Sequence, residues 1–392
     1  MPILAASILN NGITRLYNVP NIHDTKVMIE ILRNLGCKVK RVRDKIVIDS
    51  RGVNQYEIPE ELMRKMRSSV ILAGALIGRM KKATFSCPGG CDIGARPIDL
   101  HLKAFENLGV NISKSTGYIH CSCDIITGEK IHLDFPSVGA TENAMLVAVL
   151  AKGTTVISNA AMEPEIVDLQ DFLNKMGAKV TGAGTNEITI QGVERLKDTG
   201  YQVMPDRIEA GTLLCAVAST GGKLTLKKVK PEHLTPVLEK LKECGCFIQS
   251  TKDSVMLEAP KKLKAVDIKT MPYPGFPTDM QAIFVSILCT AKGTSIVTEN
   301  IFENRYKYTN ELKRMGAKIV VEGRTAIIKG VRKLSKAVVE ATDLRGGAAL
   351  VVAGLSASGK TTVENIEYIL RGYEEIDKKL TRLGAKITKE VN

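Results

Sequence analysis

The sequence has no tryptophan, 4% aromatic residues and five histidines among its 392 residues. So few flat rings argue against a base-stacking platform for single-stranded nucleic acid. No apolar run approaches the roughly 20 residues that a membrane-spanning helix needs, which argues against a membrane partner. The apolar start "MPILAASIL" has no basic lead-in and no cleavage site, so it does not read as a signal peptide. The nine cysteines are scattered and odd in number. That pattern excludes a small disulfide framework and points to a reducing cytoplasm. One His/Cys cluster exists, His120-Cys121-Ser122-Cys123, and no second ligand pair accompanies it at a metal-binding distance. It reads as a strand, and the expectation is no metal.

What is present is an ordinary globular composition, 44% hydrophobic and 25% charged, with a net charge of +13. Such a charge favours anions, either nucleic acid or phosphorylated metabolites. The Lys and Arg residues are spread along the chain rather than clustered, which favours metabolites. The length suits two cores.

The main pattern is internal repetition. "LRNLGCKV", "FENLGVNI", "LNKMGAKV", "LKECGCFI", "LKRMGAKI" and "LTRLGAKI" share glycines at 36, 109, 177, 245, 316 and 384, at spacings of 73, 68, 68, 71 and 68. Each copy reads as the end of an amphipathic helix, with Gly in a left-handed cap and a β-rich segment after it. Upstream of each lies a run apolar on most faces: "ILAASIL", "VILAGALIG", "AMLVAVLAKG", "LLCAVASTGG", "AIFVSILCTAKG" and "LVVAGLSASG". Such runs read as buried helices. The expected unit is strand, buried helix, strand, amphipathic helix, strand, strand. Six units divide into two α/β domains, 1–204 and 205–392, with a cleft between them as the natural place for a small ligand. Copies two to six have a polar lead-in before the buried helix. Copy one enters its apolar run at Met1-Pro2, so the expectation is a first repeat without its leading strand and approach.

The stretch "GLSASGKT", Gly354–Thr361, fits the phosphate-loop pattern G-x-x-x-x-G-K-[ST]. That motif requires a strand before it and a helix after it. By analogy with its sister copies it is a helix end, a turn and a strand start. The reading is therefore against a nucleotide hydrolase acting through Lys360.

The densest chemistry lies in "CPGGCDIGARPIDLH", Cys87 to His101. Pro88-Gly89-Gly90 forms a tight turn that carries Cys91, with Arg96 and Asp99 following. A thiol near a guanidinium has a lowered pKa and can exchange a proton. An incidental cysteine on a surface loop fits the spacing equally. Arg67, Arg207, Arg305, Arg345 and Arg371 stand in lead-ins or beside turns, where helix N-termini and guanidinium forks suit phosphate and carboxylate. Asp279 in "FPTDMQA" is either a helix-start acid or a catalytic base.

"PGGCDIGARPIDLH", "FPTDMQA", "FENR", "ATDLR" and "RGYE", in that order across six repeats, resemble the UDP-N-acetylglucosamine 1-carboxyvinyltransferase family of enolpyruvyl transferases. The resemblance spans the whole chain. The sister 5-enolpyruvylshikimate-3-phosphate synthases share the repeats but not the cysteine loop. The resemblance implies two inside-out α/β domains. It also implies transfer of the enolpyruvyl group of phosphoenolpyruvate to the 3′-hydroxyl of UDP-N-acetylglucosamine, in a cytoplasmic monomer without cofactor. Matched residue by residue, it implies Cys91 as proton donor and Asp279 as the acid on the sugar hydroxyl. It assigns Arg96, Arg305, Arg345 and Arg371 to phosphoenolpyruvate. It assigns Arg67, Arg96, Pro97, Ile98, Asp99, Leu100, Ser137, Val138, Gly139, Asp279 and Ile301 to the nucleotide sugar. Two departures stand out. A Lys-Asn pair that the family carries is absent before Met1, which leaves a shortened relative that only binds the nucleotide sugar as an alternative. The residues before "RGYE" read "YIL" where an acidic residue is common.

Overall fold

A computed structural model describes residues 1–86, 93 and 98–390, with Arg67 described in its backbone alone. The described residues group into two compact units. One runs to Met204, and the other starts at Pro205 and also takes in Ile93. Each unit has its own continuous apolar core.

The apolar runs are helices: α1 (Pro2–Ala6), α2 (Ile71–Met80) and α3 (Val138–Ala148) in the first unit, and α4 (Arg207–Thr220), α5 (Thr278–Leu288) and α6 (Leu344–Ser356) in the second. Every residue from Ile71 to Gly78, from Ala140 to Ala148 and from Met280 to Leu288 is buried. Helices apolar all round have no face to offer water, so each unit closes its sheets and amphipathic helices around them. Within the second unit α4, α5 and α6 pack on one another, and within the first α2 packs on both α1 and α3. This is the inside-out α/β arrangement. The six repeat glycines all take positive φ, between 84° and 104°. A side chain there would be strained, which is why glycine recurs.

In two places among the described residues the four-stranded sheet of the repeat is built from consecutive chain. Lys130–His132 runs parallel to Thr154–Ser158, which is antiparallel to Glu187–Gln191 and then Lys179–Thr181. Ile268–Lys269, Thr294–Thr298, Thr325–Lys329 and Lys318–Glu322 repeat that order. Glu187–Gln191 alternates exposed and buried side chains, as a half-buried strand must.

One expectation is refined and another is corrected. The first repeat shows no strand of its own before α1, but the leading place in its sheet is filled from elsewhere. Thr199–Gln202, from the end of the same unit, pairs in parallel with Ile13–Tyr17 in that position. A parallel strand needs only a neighbour of the right register, not one adjacent in sequence. After Gly384 no ladder strand forms among residues 385–390, and the sheet of the last repeat consists of Val338–Glu340 and Thr362–Glu364 alone. A hairpin needs two strands, and only one short segment follows that glycine in the described residues.

The order around Gly354 is helix α6, then the strand Thr362–Glu364. That is the reverse of a phosphate loop. Lys360 is exposed, 4.0 Å from Glu390. His120, Cys121 and Cys123 lie in or beside the strand Tyr118–Ser122, with both thiols buried and His120 bonded to Thr84 and Ser115.

Candidate active site

The second unit brings three helix starts together, and they are built differently. Asp206 caps α4, its carboxylate accepting from the Ile208 and Glu209 amides at 2.8 and 3.0 Å. Asp343 caps α6 in the same way, accepting from Arg345 and Gly346, each at 3.0 Å. Helix α5 starts from Pro277, which has no side chain to cap it. Its aspartate, Asp279, sits one turn position inside and is free to look elsewhere.

Asp279 is held by two arginines. Arg305 Nη2 donates to Oδ1 at 2.9 Å and Arg345 Nη2 donates to Oδ2 at 3.0 Å. Arg305 is almost fully buried, its Nη2 also reaching the Thr278 carbonyl at 3.3 Å and its guanidinium lying over the Phe302 ring. Arg345 lies over Tyr373 at 5.3 Å, and the Tyr373 hydroxyl is tied to that of Thr212 at 2.9 Å. These stacked rings help to fix the two forks. Nε of both arginines and Nη1 of Arg345 are buried with no protein hydrogen-bond partner among the described residues. Buried guanidinium donors without partners are costly and mark a place for an anion. The Asp279 side chain keeps 39% of its surface accessible, enough for a ligand hydroxyl to reach it. Enclosure pushes its carboxyl up, but Arg345 and then Arg305, with a contribution from Arg207, override this and hold it well below the usual carboxylate range.

Two further expected residues lie in this unit. Arg371 ends the short helix Glu367–Leu370, two residues before Tyr373. Ile301 sits in the turn after Thr294–Thr298, its amide donating to the buried Glu299 carboxylate at 2.8 Å.

In the first unit Ser137 caps α3, its hydroxyl accepting from the Ala140 amide at 3.4 Å, so Val138 and Gly139 form the first turn of a helix with its N–H groups forward. Such a turn suits a phosphate. Ile98 and Asp99 open the helix Asp99–Asn107, which contains Leu100. His101 of that helix joins it to α3. The Asn143 side chain accepts from the Gly74 amide at 2.9 Å and donates to the Val70 carbonyl at 3.1 Å and to His101 Nδ1 at 2.7 Å. Since the Gly74 amide can only donate and the Val70 carbonyl can only accept, the Asn143 amide has one orientation. His101 Nδ1 therefore accepts, and a neutral ring carries its proton on Nε2. A Cβ at Gly139 would come within 2.9 Å of that ring, so the turn has room for glycine only. Arg67 opens the turn Arg67–Val70. Cys91, Arg96, Pro97 and the Arg67 side chain lie outside the described residues.

The seven described cysteines are all buried. Desolvation raises every one of their thiols, Cys37, Cys121, Cys244 and Cys289 to about 12. They are poor nucleophiles and poor proton donors near neutral pH. Among the described residues no group of three or more His, Cys, Asp or Glu side chains could hold a metal ion.

The structure thus unites Asp279, Arg305 and Arg345, and separately links Gly139 to the helix opened by Asp99. Sequence reasoning noted Arg207 but gave it no role at Asp279. It missed Asn143, Thr212 and Tyr373 as supports, although Tyr373 stood inside the quoted "RGYE". Long-range hydrogen bonds of this kind leave no spacing signal.

The model of the EPSP synthase (3-phosphoshikimate 1-carboxyvinyltransferase) family matches residues 1–380. A protein of Caldanaerobacter subterraneus subsp. tengcongensis named UDP-N-acetylglucosamine 1-carboxyvinyltransferase 2 is 59% identical, over 99% of this chain and 94% of its own length. That organism's UDP-N-acetylglucosamine 1-carboxyvinyltransferase 1 is 51% identical over 99% and 93%. Among solved structures, the enolpyruvyl transferase NikO of Streptomyces tendae superposes with a TM-score of 0.89 at 24% identity, covering 99% of this chain and 92% of that one. An EPSP synthase of Acinetobacter baumannii gives 0.72 at 18% identity, over 97% and 93%. These two likenesses bear on the fold.

Proposed function

The chain belongs to the EPSP synthase family, and from that premise we propose that it transfers the enolpyruvyl group of phosphoenolpyruvate to the 3′-hydroxyl of UDP-N-acetylglucosamine, releasing phosphate. The high identity to proteins named for that reaction supports this substrate pair over shikimate 3-phosphate. The observation that carries the chemistry is Asp279 clamped between Arg305 and Arg345, whose remaining buried donors have no protein partner among the described residues.

In the addition step the sugar hydroxyl oxygen bonds to C2 of phosphoenolpyruvate, Asp279 takes the hydroxyl proton, and the Cys91 thiol protonates C3. In the elimination the C2–O bond to phosphate breaks, C3 returns its proton to the Cys91 thiolate, and Asp279 gives its proton to the departing phosphate. As seen here Asp279 is a weak base, because two guanidiniums favour its ionised form. The carboxylate of phosphoenolpyruvate is a second anion for the same forks. As Arg305 and Arg345 turn to it, Asp279 loses counter-charge and its proton affinity rises, so the base strengthens when the second substrate is present. Arg96 and Arg371 hold the phosphate. Arg67, the stretch Arg96, Pro97, Ile98, Asp99 and Leu100, the Ser137-Val138-Gly139 turn and the Ile301 backbone hold the nucleotide sugar. We further read the chain as a cytoplasmic monomer of peptidoglycan synthesis, needing neither metal nor cofactor, with fosfomycin alkylating Cys91.

The test is phosphate release from phosphoenolpyruvate, expected only when UDP-N-acetylglucosamine is added. Fosfomycin should label one site and stop turnover. Cys91→Ala should abolish both labelling and turnover, while the seven buried thiols stay unlabelled until the chain unfolds. Labelling that survives Cys91→Ala, or phosphate release without the nucleotide sugar, would overturn the reading.

A further inference from the structure

Just past the strand Thr294–Thr298 lies a carboxylate that the reaction does not use. Glu299 is fully buried. Its Oε1 accepts from the Ile301 amide at 2.8 Å, the Phe302 amide at 3.2 Å and the Thr270 hydroxyl at 2.9 Å. Its Oε2 accepts from the Thr278 hydroxyl at 2.9 Å. Thr270 extends the network, its hydroxyl accepting from the Asn300 amide at 2.9 Å and its carbonyl accepting from the Asn300 side chain at 3.0 Å. Four donors from three separate segments meet on one buried side chain.

Those segments are the ones that carry the site. Thr278 is the first residue of the uncapped helix α5 and immediately precedes Asp279, and its carbonyl receives Arg305 Nη2. Ile301 and Phe302 form the turn whose backbone is assigned to the nucleotide sugar, and the Phe302 ring lies under Arg305. Because the Ile301 amide is taken by Glu299, a ligand at that turn is left with the carbonyl as its main-chain partner. We propose that Glu299 is a positioning residue for the transfer reaction. One oxygen sets the Ile301 turn for the nucleotide sugar, and the other holds the Thr278 side chain at the uncapped start of α5 and so sets Asp279 against the sugar hydroxyl. This rests on the functional reading above. The role is geometric: what matters is an acceptor at each place, not the negative charge.

Four variants of the full chain separate the possibilities, each followed by steady-state kinetics with both substrates and by thermal unfolding. Glu299→Gln keeps the Oε1 acceptor, and the Thr278 hydroxyl can reverse to accept from the new amide. Its kcat and both KM values are expected within about threefold of wild type, since no hydrogen bond is lost. Glu299→Ala leaves the donors unmet. It is expected to raise KM for UDP-N-acetylglucosamine and lower kcat, each by about 10- to 100-fold, as misplaced reacting groups do. Thr278→Val should lower kcat while the nucleotide-sugar KM holds, and Thr270→Val should raise that KM while kcat holds. Glu299→Gln as damaged as Glu299→Ala would show that charge matters and overturn the proposal. So would Glu299→Ala with a lowered Tm but unchanged kinetics, or two threonine variants that move the same parameter. An inactive wild-type chain would overturn the functional reading and this inference with it. An active one with the wrong variant pattern overturns the inference alone.

Discussion

Helices α4 and α6 begin with an aspartate that serves the helix, and α5 begins with one that does not. Asp206 and Asp343 sit at the cap position and use an oxygen on two of their own helix's amides. In α5 the cap position holds Pro277, and the aspartate is displaced to position 279, where both oxygens meet guanidiniums instead. The three starts occupy equivalent places in their repeats, so the difference is local. One proline and a shift of two residues turn a structural acid into an available one. Glu299, reaching the Thr278 hydroxyl from a neighbouring segment, anchors that helix start by its side chain rather than by its amides. The candidate site falls where the repeat breaks its own rule, which is where local consistency is expected to fail.

The contrast can be broken most sharply at Asp279 itself. Asp279→Asn is expected to lower kcat by about 10²- to 10⁴-fold, the usual range for a lost general base. Its pH behaviour has a definite sign. A carboxyl lowered by folding contributes stability that is fully present above its ordinary value of 3.8 and lost as pH falls through the lowered value. The Tm advantage of wild type over Asp279→Asn should therefore hold at neutral pH and shrink below about pH 4. A Tm gap that widened in acid would show that the two guanidiniums do not favour the ionised form.

Removing a clamp should act next most strongly. Arg345→Ala or Arg305→Ala should raise KM for phosphoenolpyruvate by about 10- to 100-fold, the value of a charge-assisted hydrogen bond. Either change also removes a cation that lowers Asp279, so the acid limb of the pH–rate profile should move to higher pH. An unmoved limb would detach the arginines from the base.

The capping aspartates should show the opposite pattern. Asp206→Ala should cost about 1 kcal/mol of stability by chemical denaturation, with kcat within about threefold of wild type. A large loss of turnover there would erase the distinction between the three helix starts. The smallest effect is expected from giving α5 a cap of its own. Pro277→Ser adds a capping hydroxyl but loosens the unfolded chain, and the net stability change should stay within about 0.5 kcal/mol. A gain of several kcal/mol would mean that the uncapped amides at the start of α5 are poorly satisfied.

The six helix caps, the buried character of the six apolar runs and the helix-before-strand order at Gly354–Thr361 were all legible in the sequence. Each depends on residues within one turn or one repeat: glycine at positive φ, all-round apolarity, and comparison between sister copies. Site residues were legible as types and only partly as a place. Arg305 and Arg345 are 26 and 66 residues from Asp279, and nothing in their spacing says that they close on the same carboxylate. That the strand Thr199–Gln202 completes the first repeat's sheet was not foreseen, for the same reason. Its partner Ile13–Tyr17 is far away in the chain, and a strand's sequence carries its own pleat but not the identity of its neighbour.

Local chemistry therefore determined which segments are helices, which ends are capped and which faces are buried, because propensity and periodicity act over a few residues. Only the tertiary structure decided which charges meet. It paired Asp279 with two arginines, placed Glu299 under the turn at Ile301, and oriented His101 through Asn143. Those contacts join segments that the chain keeps apart, and their strength comes from burial, which no stretch of sequence has on its own.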